Sequence, residues 1–156
     1  MTSFETPGES RAAFDALLAA TRRQLRLYAV DLEGLQIDDV QRIAALRALC
    51  VAGGGRRVEL LLDDIRRVAR DHPRLMLLLR DFGHVLEIRQ ADPEAPRPDA
   101  AFALADRRGV LLRPDKTSPR GVLHPDDPGR AAALDMEFEG MWQRAPAVVS
   151  ATTLGL

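Results

Sequence analysis

The chain has 156 residues, of which 46% are hydrophobic and 29% are charged, and these proportions predict one soluble globular domain. Its 22 basic and 23 acidic side chains leave a formal net charge of -1, so the bulk attraction to polyanions that most nucleic-acid and membrane-surface binders carry is missing. No apolar stretch is long enough to span a bilayer, and the amino terminus lacks a basic region followed by an apolar run. We therefore expect a cytoplasmic protein with no membrane partner, and the single cysteine, Cys50, agrees with a reducing compartment.

The first half of the chain alternates between helical and strand patterns. Apolar side chains at helical spacing begin after Ser10, the predicted N-cap of the first helix. Asp38 and Gln41 have capping-box spacing before the second helix, which three glycines stop. The elements predicted in chain order are a helix over 10–23, a strand over 25–32, a helix over 40–50, a strand over 58–62, a helix over 74–81 and a strand over 85–89.

The second half begins with a proline-rich loop over 90–99, which can hold neither a helix nor a central strand. Residues 101–105 and 110–112 then predict a β-hairpin, with Gly109 in the left-handed position of its turn. A second irregular stretch contains a short strand over 121–123, and a long helix follows over 129–145. We expect one domain with its core over about 10–145 and an apolar tail over 146–156.

This order of elements predicts a three-layer α/β/α sandwich around a mixed, mostly parallel sheet. Ligands of such sheets bind beyond the carboxyl ends of the strands. The candidate ligand-binding residues are Asp31, Asp63, Asp64, Arg89 and Arg113. The alternative is that acidic residues after a strand cap the next helix.

The sequence predicts neither a metal site nor a cofactor. The three histidines stand 12 and 40 residues apart, so none forms a helical ligand pair. Cys50 lies on the apolar stripe of a helix, where a thiol stays protonated, and the serines lack a glycine elbow. The glycines at 53–55 follow a helix and precede a strand, the reverse of a phosphate-binding loop.

Arginine occurs in four adjacent pairs, and paired guanidinium groups can hold phosphates. The equal number of carboxylates along the chain favours the alternative of a salt-bridged surface. The pairs are Arg22–Arg23, Arg56–Arg57, Arg66–Arg67 and Arg107–Arg108.

The order of elements and several stretches of sequence resemble a single phospholipase D-like half-domain. The resemblance is strongest to small bacterial phospholipase D-like domains of unknown function, which also occur as tails on N-acetyltransferase domains. It covers about residues 10–145. The stretches that carry it are LRLYAVDL, RRVELLLDD, HPRLMLLLRDFGHVLEIR, AFALADRRGVLLRP and the FEGMWQR helix.

Active members of that superfamily carry the pattern H-x-K-x-x-x-x-D, in which the histidine is the phosphate nucleophile or the acid and the lysine binds the phosphate. If Asp106 matches the aspartate, the histidine position holds Asp99 and the lysine position holds Ala101. Aligning the pattern on each real histidine also fails, because the aspartate position then holds Leu79, Ala91 or Ala131. The resemblance therefore implies a pseudoenzyme, without phosphodiesterase activity by the family mechanism.

We accordingly expect a non-catalytic binding or interaction domain, in which Asp106 and Gly109 serve the hairpin turn. One alternative is a ligand-binding or enzyme-associated accessory domain with a protein partner, for example an N-acetyltransferase. Another is weak binding of a phospholigand or nucleic acid through Arg107, Arg108 and Arg113, although the net charge disfavours nucleic acid. The resemblance also implies a homodimer, which the apolar tail would help to form unless it lies on the sheet of its own monomer.

Overall fold

The computed structural model describes residues 1–151. In that part of the chain eight strands form one sheet: β1 (Thr2–Phe4), β2 (Gln24–Ala29), β3 (Arg57–Leu62), β4 (Leu86–Gln90), β5 (Ala101–Ala105), β6 (Gly109–Arg113), β7 (Gly121–His124) and β8 (Ala147–Val148). The helices are α1 (Pro7–Ala20), α2 (Val40–Val51), α3 (Val68–Asp71), α4 (Pro73–Asp81) and α5 (Pro128–Arg144).

The sheet is mixed, with the strand order β1-β7-β6-β5-β2-β3-β4-β8. Within it, β2 pairs with β3 and β3 with β4 in parallel, while the other neighbours are antiparallel. The mixed sheet of the sequence prediction is confirmed, but the expectation that it is mostly parallel is wrong. A tight turn forces β5 and β6 to run antiparallel, and longer connections bring the other antiparallel neighbours together.

Helices cover both faces of the sheet, which confirms the three-layer sandwich. Helices α1 to α4 contribute the larger core, where residues such as Phe14, Leu46 and Leu75 pack on one face. Helix α5 covers the other face with Phe138, Met141 and Trp142. Strands β2 and β3 are buried on both sides, which explains their nearly continuous apolar sequences.

Helix α1 begins three residues earlier than the sequence predicts. Its N-cap is Thr6, whose hydroxyl accepts from the Glu9 backbone N–H at 3.1 Å, while the Glu9 carboxylate accepts from the Thr6 N–H at 3.1 Å. This reciprocal capping box, followed by Pro7 at the first helical position, fixes the start of the helix. Ser10 is therefore not the cap but lies inside the first turns, where it is 7% exposed.

The hairpin between β5 and β6 is confirmed, but its turn differs from the prediction. The residues with positive φ are Asp106 (56°) and Arg107 (61°), not Gly109. Gly109 is constrained by space instead, because a Cβ there would lie 2.9 Å from Leu17 Cδ1. An aspartate and an arginine thus adopt the left-handed conformation that the prediction assigned to glycine.

The two outer strands, β1 and β8, were not predicted. Strand β8 pairs antiparallel with β4, and Val149 and Ala151 pack against the larger core. The described part of the predicted apolar tail therefore lies on its own sheet. Leu154 and Leu156, also assigned to that tail, lie outside the described residues.

Candidate functional site

A cavity of about 250 Å³ opens at the edge of the sheet where β2 and β6 end. Both strands run in the same direction, because each pairs antiparallel with β5. Their ends bring Asp31 and Arg113 to the same cavity, which the first turn of α1 borders through Pro7 and Ser10. The loop after β6 closes another side with Lys116, Thr117 and Ser118.

Arg113 is the cation best placed to hold a ligand in this cavity. Arg113 is half-buried, and this burial lowers its pKa. Nη1 donates to the Ser118 carbonyl oxygen at 2.8 Å, and among residues 1–151 no carboxylate oxygen lies within 4.0 Å of the guanidinium. Asp115 and Asp31 attract it without pairing. A guanidinium has five N–H donors, so this one retains donors for an anion.

Ser10 presents a second unused polar group to the cavity. The residue is 7% exposed, yet its hydroxyl makes no hydrogen bond with any described part of the chain. It lies in the first turns of the 14-residue helix α1, whose amino end carries a partial positive charge. A hydroxyl donor and a helix amino end both favour an anion in the space beside them.

A polar network holds the loop after β6 in place. Lys116 Nζ lies 2.8 Å from Asp63 Oδ2 and donates to the Tyr28 hydroxyl at 2.9 Å. The Tyr28 hydroxyl donates to Asp63 Oδ1 at 2.7 Å, and Arg97 Nη1 lies 3.3 Å from the same oxygen. Burial and the hydrogen bond to Asp63 raise the pKa of Tyr28, so its phenol stays protonated.

This network holds one wall of the cavity in place. Asp63 is compensated by two cations, Lys116 and Arg97, and is therefore not available to a cationic ligand. The Lys116 backbone N–H also donates to the Asp99 carbonyl oxygen at 2.7 Å, which ties the loop to the start of β5. Because both ends of Lys116 are anchored, the loop presents Thr117 and Ser118 in a fixed position.

The structure brings together some of the predicted site residues and separates others. Asp31 and Arg113 line the cavity. Asp63 forms an ion pair with Lys116, which also lines the cavity. Asp64 does not line it, and instead pairs with Arg66 at 2.8 Å near the surface, where hydrogen bonds from Arg66 lower the pKa of Asp64 to about 2.

Arg89 points to the opposite face of the sheet. Its guanidinium stacks 4.2 Å from the centre of the Trp142 ring on α5 and donates to the Trp142 carbonyl oxygen at 2.9 Å. It also contacts Glu87. Successive residues of a strand face opposite sides, so a residue at a strand end need not reach the crevice there.

The sequence analysis missed Lys116 and Ser10 as parts of the site. A signal for Lys116 existed, because it is the single lysine among 22 basic residues. Its position in a proline-rich loop gave no reason to place it beside Asp63, 53 residues earlier in the chain. Ser10 gave no signal beyond its incorrect prediction as a helix cap.

The positions compared with the catalytic pattern also have clear places in the fold. Ala101 begins β5 and is buried, and its direct cross-strand partner on β6 is Arg113. Directly opposed residues project from the same face of a sheet. A cation therefore stands beside the position where the resemblance places a phosphate-binding lysine, while no histidine lines the cavity.

Comparison with solved structures shows the class of fold. TrmBL2, described as an archaeal chromatin protein with a novel mode of DNA binding, matches with a TM-score of 0.67 and 15% identity over 92% of this chain. NucT from Helicobacter pylori matches with a TM-score of 0.56 and 14% identity, covering 94% of this chain and 97% of its own. At these identities the likeness is one of fold, and this chain spans about half (52%) of the TrmBL2 chain.

The family to which the sequence belongs is shown by a match over nearly the whole chain. A family model described as Domain of unknown function (DUF7931) matches residues 6–153, and the chain belongs to that family. No curated protein matches the sequence significantly. Across residues 1–151, the helices are all too short or too polar to cross a membrane.

Proposed function

We propose that this domain is a non-catalytic phospholipase D-like half that binds a small organic anion, a phosphate monoester or a carboxylate, in the cavity at the ends of β2 and β6. The observation that carries the proposal is the half-buried Arg113 guanidinium, which has one hydrogen bond and no carboxylate partner within 4.0 Å among the described residues. Partial burial of a cation without a paired carboxylate is costly, and a bound anion would offset that cost.

Three further features support an anion of modest size. The unused Ser10 hydroxyl and the amino end of α1 border the same space. The cavity volume of about 250 Å³ suits a small metabolite rather than a polymer. Asp31 at the rim accepts from the Glu33 backbone N–H at 3.0 Å and has a remaining oxygen for a hydroxyl or ammonium group of the ligand.

The chemistry of the lining supports binding without turnover. A phosphohistidine mechanism needs an imidazole at the phosphate, whereas Asp99 and Ala101 occupy the two pattern positions. His72 lies before α4, and His84 and His124 lie at the opposite end of the sheet, at the start of β4 and the end of β7. Hydrolysis of bis(4-nitrophenyl) phosphate should therefore proceed at the rate of buffer alone. Turnover that Asp106→Asn or a histidine substitution abolishes would contradict the proposal.

Binding is tested by calorimetry with inorganic phosphate, glycerol 3-phosphate and succinate. Losing a charge-assisted hydrogen bond costs about 1.5–3 kcal/mol, so Arg113→Gln should weaken binding by roughly tenfold or more. Ser10→Ala should weaken it less, since one neutral donor is lost. The matched control is Arg120→Gln, an exposed arginine of the same loop, which should leave affinity unchanged. Equal affinity in wild type and Arg113→Gln, or no binding of any of the three anions, would reject the proposal.

A further inference from the structure

Three of the four arginine pairs meet at one edge of the sheet, opposite to the cavity. Arg22 and Arg23 precede β2, Arg56 precedes β3, which Arg57 begins, and the third pair lies in the turn between β5 and β6. We call this surface the arginine edge, defined as Arg22, Arg23, Arg56, Arg57, Arg107 and Arg108. The fourth pair, Arg66 and Arg67, lies elsewhere and pairs with Asp64 and Asp71.

Hydrogen bonds between the loops fix the arginine edge as one surface. The Arg57 backbone N–H donates to the Arg23 carbonyl oxygen at 3.0 Å, and Arg56 Nε donates to the Arg22 carbonyl oxygen at 2.9 Å. The carboxylate of Asp106 accepts from the backbone N–H groups of Arg22 and Arg23, each at 2.7 Å. The Arg56 guanidinium is held by main-chain carbonyl oxygens, including that of Gly53 at 2.7 Å, whereas the side chains of Arg22, Arg23 and Arg107 make no hydrogen bond within residues 1–151.

The edge carries an excess of uncompensated positive charge. Arg22, Arg23, Arg56 and Arg107 have no carboxylate oxygen within 4.0 Å among the residues that the structure describes. Arg57 lies 3.7 Å from both Glu59 and Glu87, and Arg108 pairs with the exposed Asp126 at 2.9 Å. The overall net charge of -1 therefore conceals a local basic surface.

We propose that the arginine edge binds the phosphate backbone of double-stranded DNA without reading its sequence. The strand order β6-β5-β2-β3 sets the three pairs in a row, with neighbouring strands about 4.8 Å apart. Guanidinium groups along such a row can donate charge-assisted hydrogen bonds to successive phosphates of a nucleic-acid backbone. This site is separate from the small-anion cavity and does not depend on it.

The surroundings of the edge favour duplex DNA over other acidic partners. Proteins that bind single strands use exposed aromatic rings on which bases stack, and every Phe, Tyr and Trp of the described chain is buried or half-buried. Protein interfaces usually have an apolar core, but none of the exposed large apolar side chains of the described chain belongs to the arginine edge. What the edge offers is charge-assisted hydrogen bonding to phosphates.

The test is fluorescence anisotropy with a labelled 20-base-pair duplex at several salt concentrations. The triple variant Arg22→Gln, Arg23→Gln, Arg107→Gln should bind at least tenfold more weakly than wild type at low salt. The slope of log affinity against log salt should become shallower by about 3, since about 0.9 is lost for each phosphate contact. None of the three side chains makes a hydrogen bond within the described chain, so the variant should melt at the wild-type temperature.

The matched control is the triple variant Arg11→Gln, Arg120→Gln, Arg144→Gln. It removes the same charge from arginines that also lack a carboxylate partner among the described residues but lie away from the edge. It should bind within threefold of wild type, as should Arg113→Gln, which separates this surface from the cavity. Equal losses in the two triple variants, tighter binding of a single strand, equal binding of polyglutamate, or no binding at low salt would each overturn the proposal.

Discussion

At the scale of single residues, Asp106 shows how one side chain joins distant segments. Its carboxylate accepts three backbone hydrogen bonds, from Arg22 and Arg23 at 2.7 Å and from Gln24 at 2.9 Å. Its own backbone N–H donates to the Gln24 carbonyl oxygen at 2.9 Å. The residue that the resemblance aligns with the catalytic aspartate therefore fastens the β5–β6 turn to the start of β2.

We expect Asp106→Ala to destabilise the protein by about 3 kcal/mol, because charge-assisted hydrogen bonds are lost and alanine tolerates the left-handed φ of 56° less well than aspartate does. Asp106→Asn keeps one acceptor oxygen and tolerates this φ, and should lose less. Asp106→Gly loses the same carboxylate as alanine but adopts this φ without strain, so it should resemble alanine if the hydrogen bonds dominate. Urea unfolding measures the series; equal stability of wild type and Asp106→Ala would contradict it.

Two glycines differ in how closely the structure approaches them. A Cβ at Gly121 would lie 2.3 Å from the Leu112 carbonyl oxygen and 2.6 Å from Phe4 Cζ. A Cβ at Gly109 would meet the end of the Leu17 side chain, which can move. We expect Gly121→Ala to cost about 1–3 kcal/mol, as overpacking does, and Gly109→Ala to cost less. Melting temperatures of the two variants test this prediction. A larger loss of stability for Gly109→Ala than for Gly121→Ala would show that the close contact between β6 and β7 at Gly121 can adjust to a Cβ.

At the scale of elements, α5 is held to the sheet by a buried charge network as well as by its apolar face. Arg26 on β2 donates to Glu59 at 2.9 Å and to Asp135 at 3.0 Å, and contacts Glu139 at 2.5 Å. Its guanidinium also lies 4.8 Å from the centre of the Phe138 ring. Neighbouring strands and two turns of α5 are thus fixed around one cation.

We expect Arg26→Met to destabilise the protein by about 3 kcal/mol, because removing one partner of a buried charge network leaves the buried carboxylate of Glu59 with only the longer contact to Arg57, at 3.7 Å. The double variant Arg26→Met, Glu59→Leu should recover part of that loss. Arg66→Met is the control, since Arg66 pairs with Asp64 at the surface with a side chain 84% exposed, and it should cost far less stability than Arg26→Met. Similar losses for Arg26→Met and Arg66→Met would show that the network contributes little.

At the scale of the whole molecule, the homodimer that the sequence resemblance implies stays a prediction. The part of the tail that the structure describes pairs through β8 with β4 of the same chain, with Val149 and Ala151 against its core. That arrangement supports the alternative in which the tail completes its own sheet. Any dimer would then form through another surface.

We expect deletion of residues 147–156 to lower the melting temperature, because it uncovers the edge of β4 and removes apolar contacts. Light scattering of the full chain gives the oligomeric state, with twice the 17.2 kDa mass supporting the homodimer and a single mass rejecting it. If the truncated chain melts at the same temperature as the full chain but has the mass of a monomer where the full chain has that of a dimer, the tail forms a dimer interface instead.

The sequence by itself determined most of the elements and the class of fold. The apolar run over 58–62 and the hairpin over 101–112 carry their signal locally, in periodicity and turn residues, and both are strands in the structure. The α/β sandwich follows from that order. The short outer strands escaped prediction, because two or three residues are too few for a period to appear and their partners lie far along the chain.

Only the tertiary structure decided which side chains meet. The pairing of β5 with β6 places Arg113 beside Ala101. Arg89 lies on the face of β4 that packs against Trp142, and therefore not at the cavity. The meeting of Lys116 with Tyr28, and of three arginine pairs at one edge, joins loops that are remote in sequence. Such contacts depend on pairing order and register, which arise from the cooperative packing of the whole chain rather than from any local pattern.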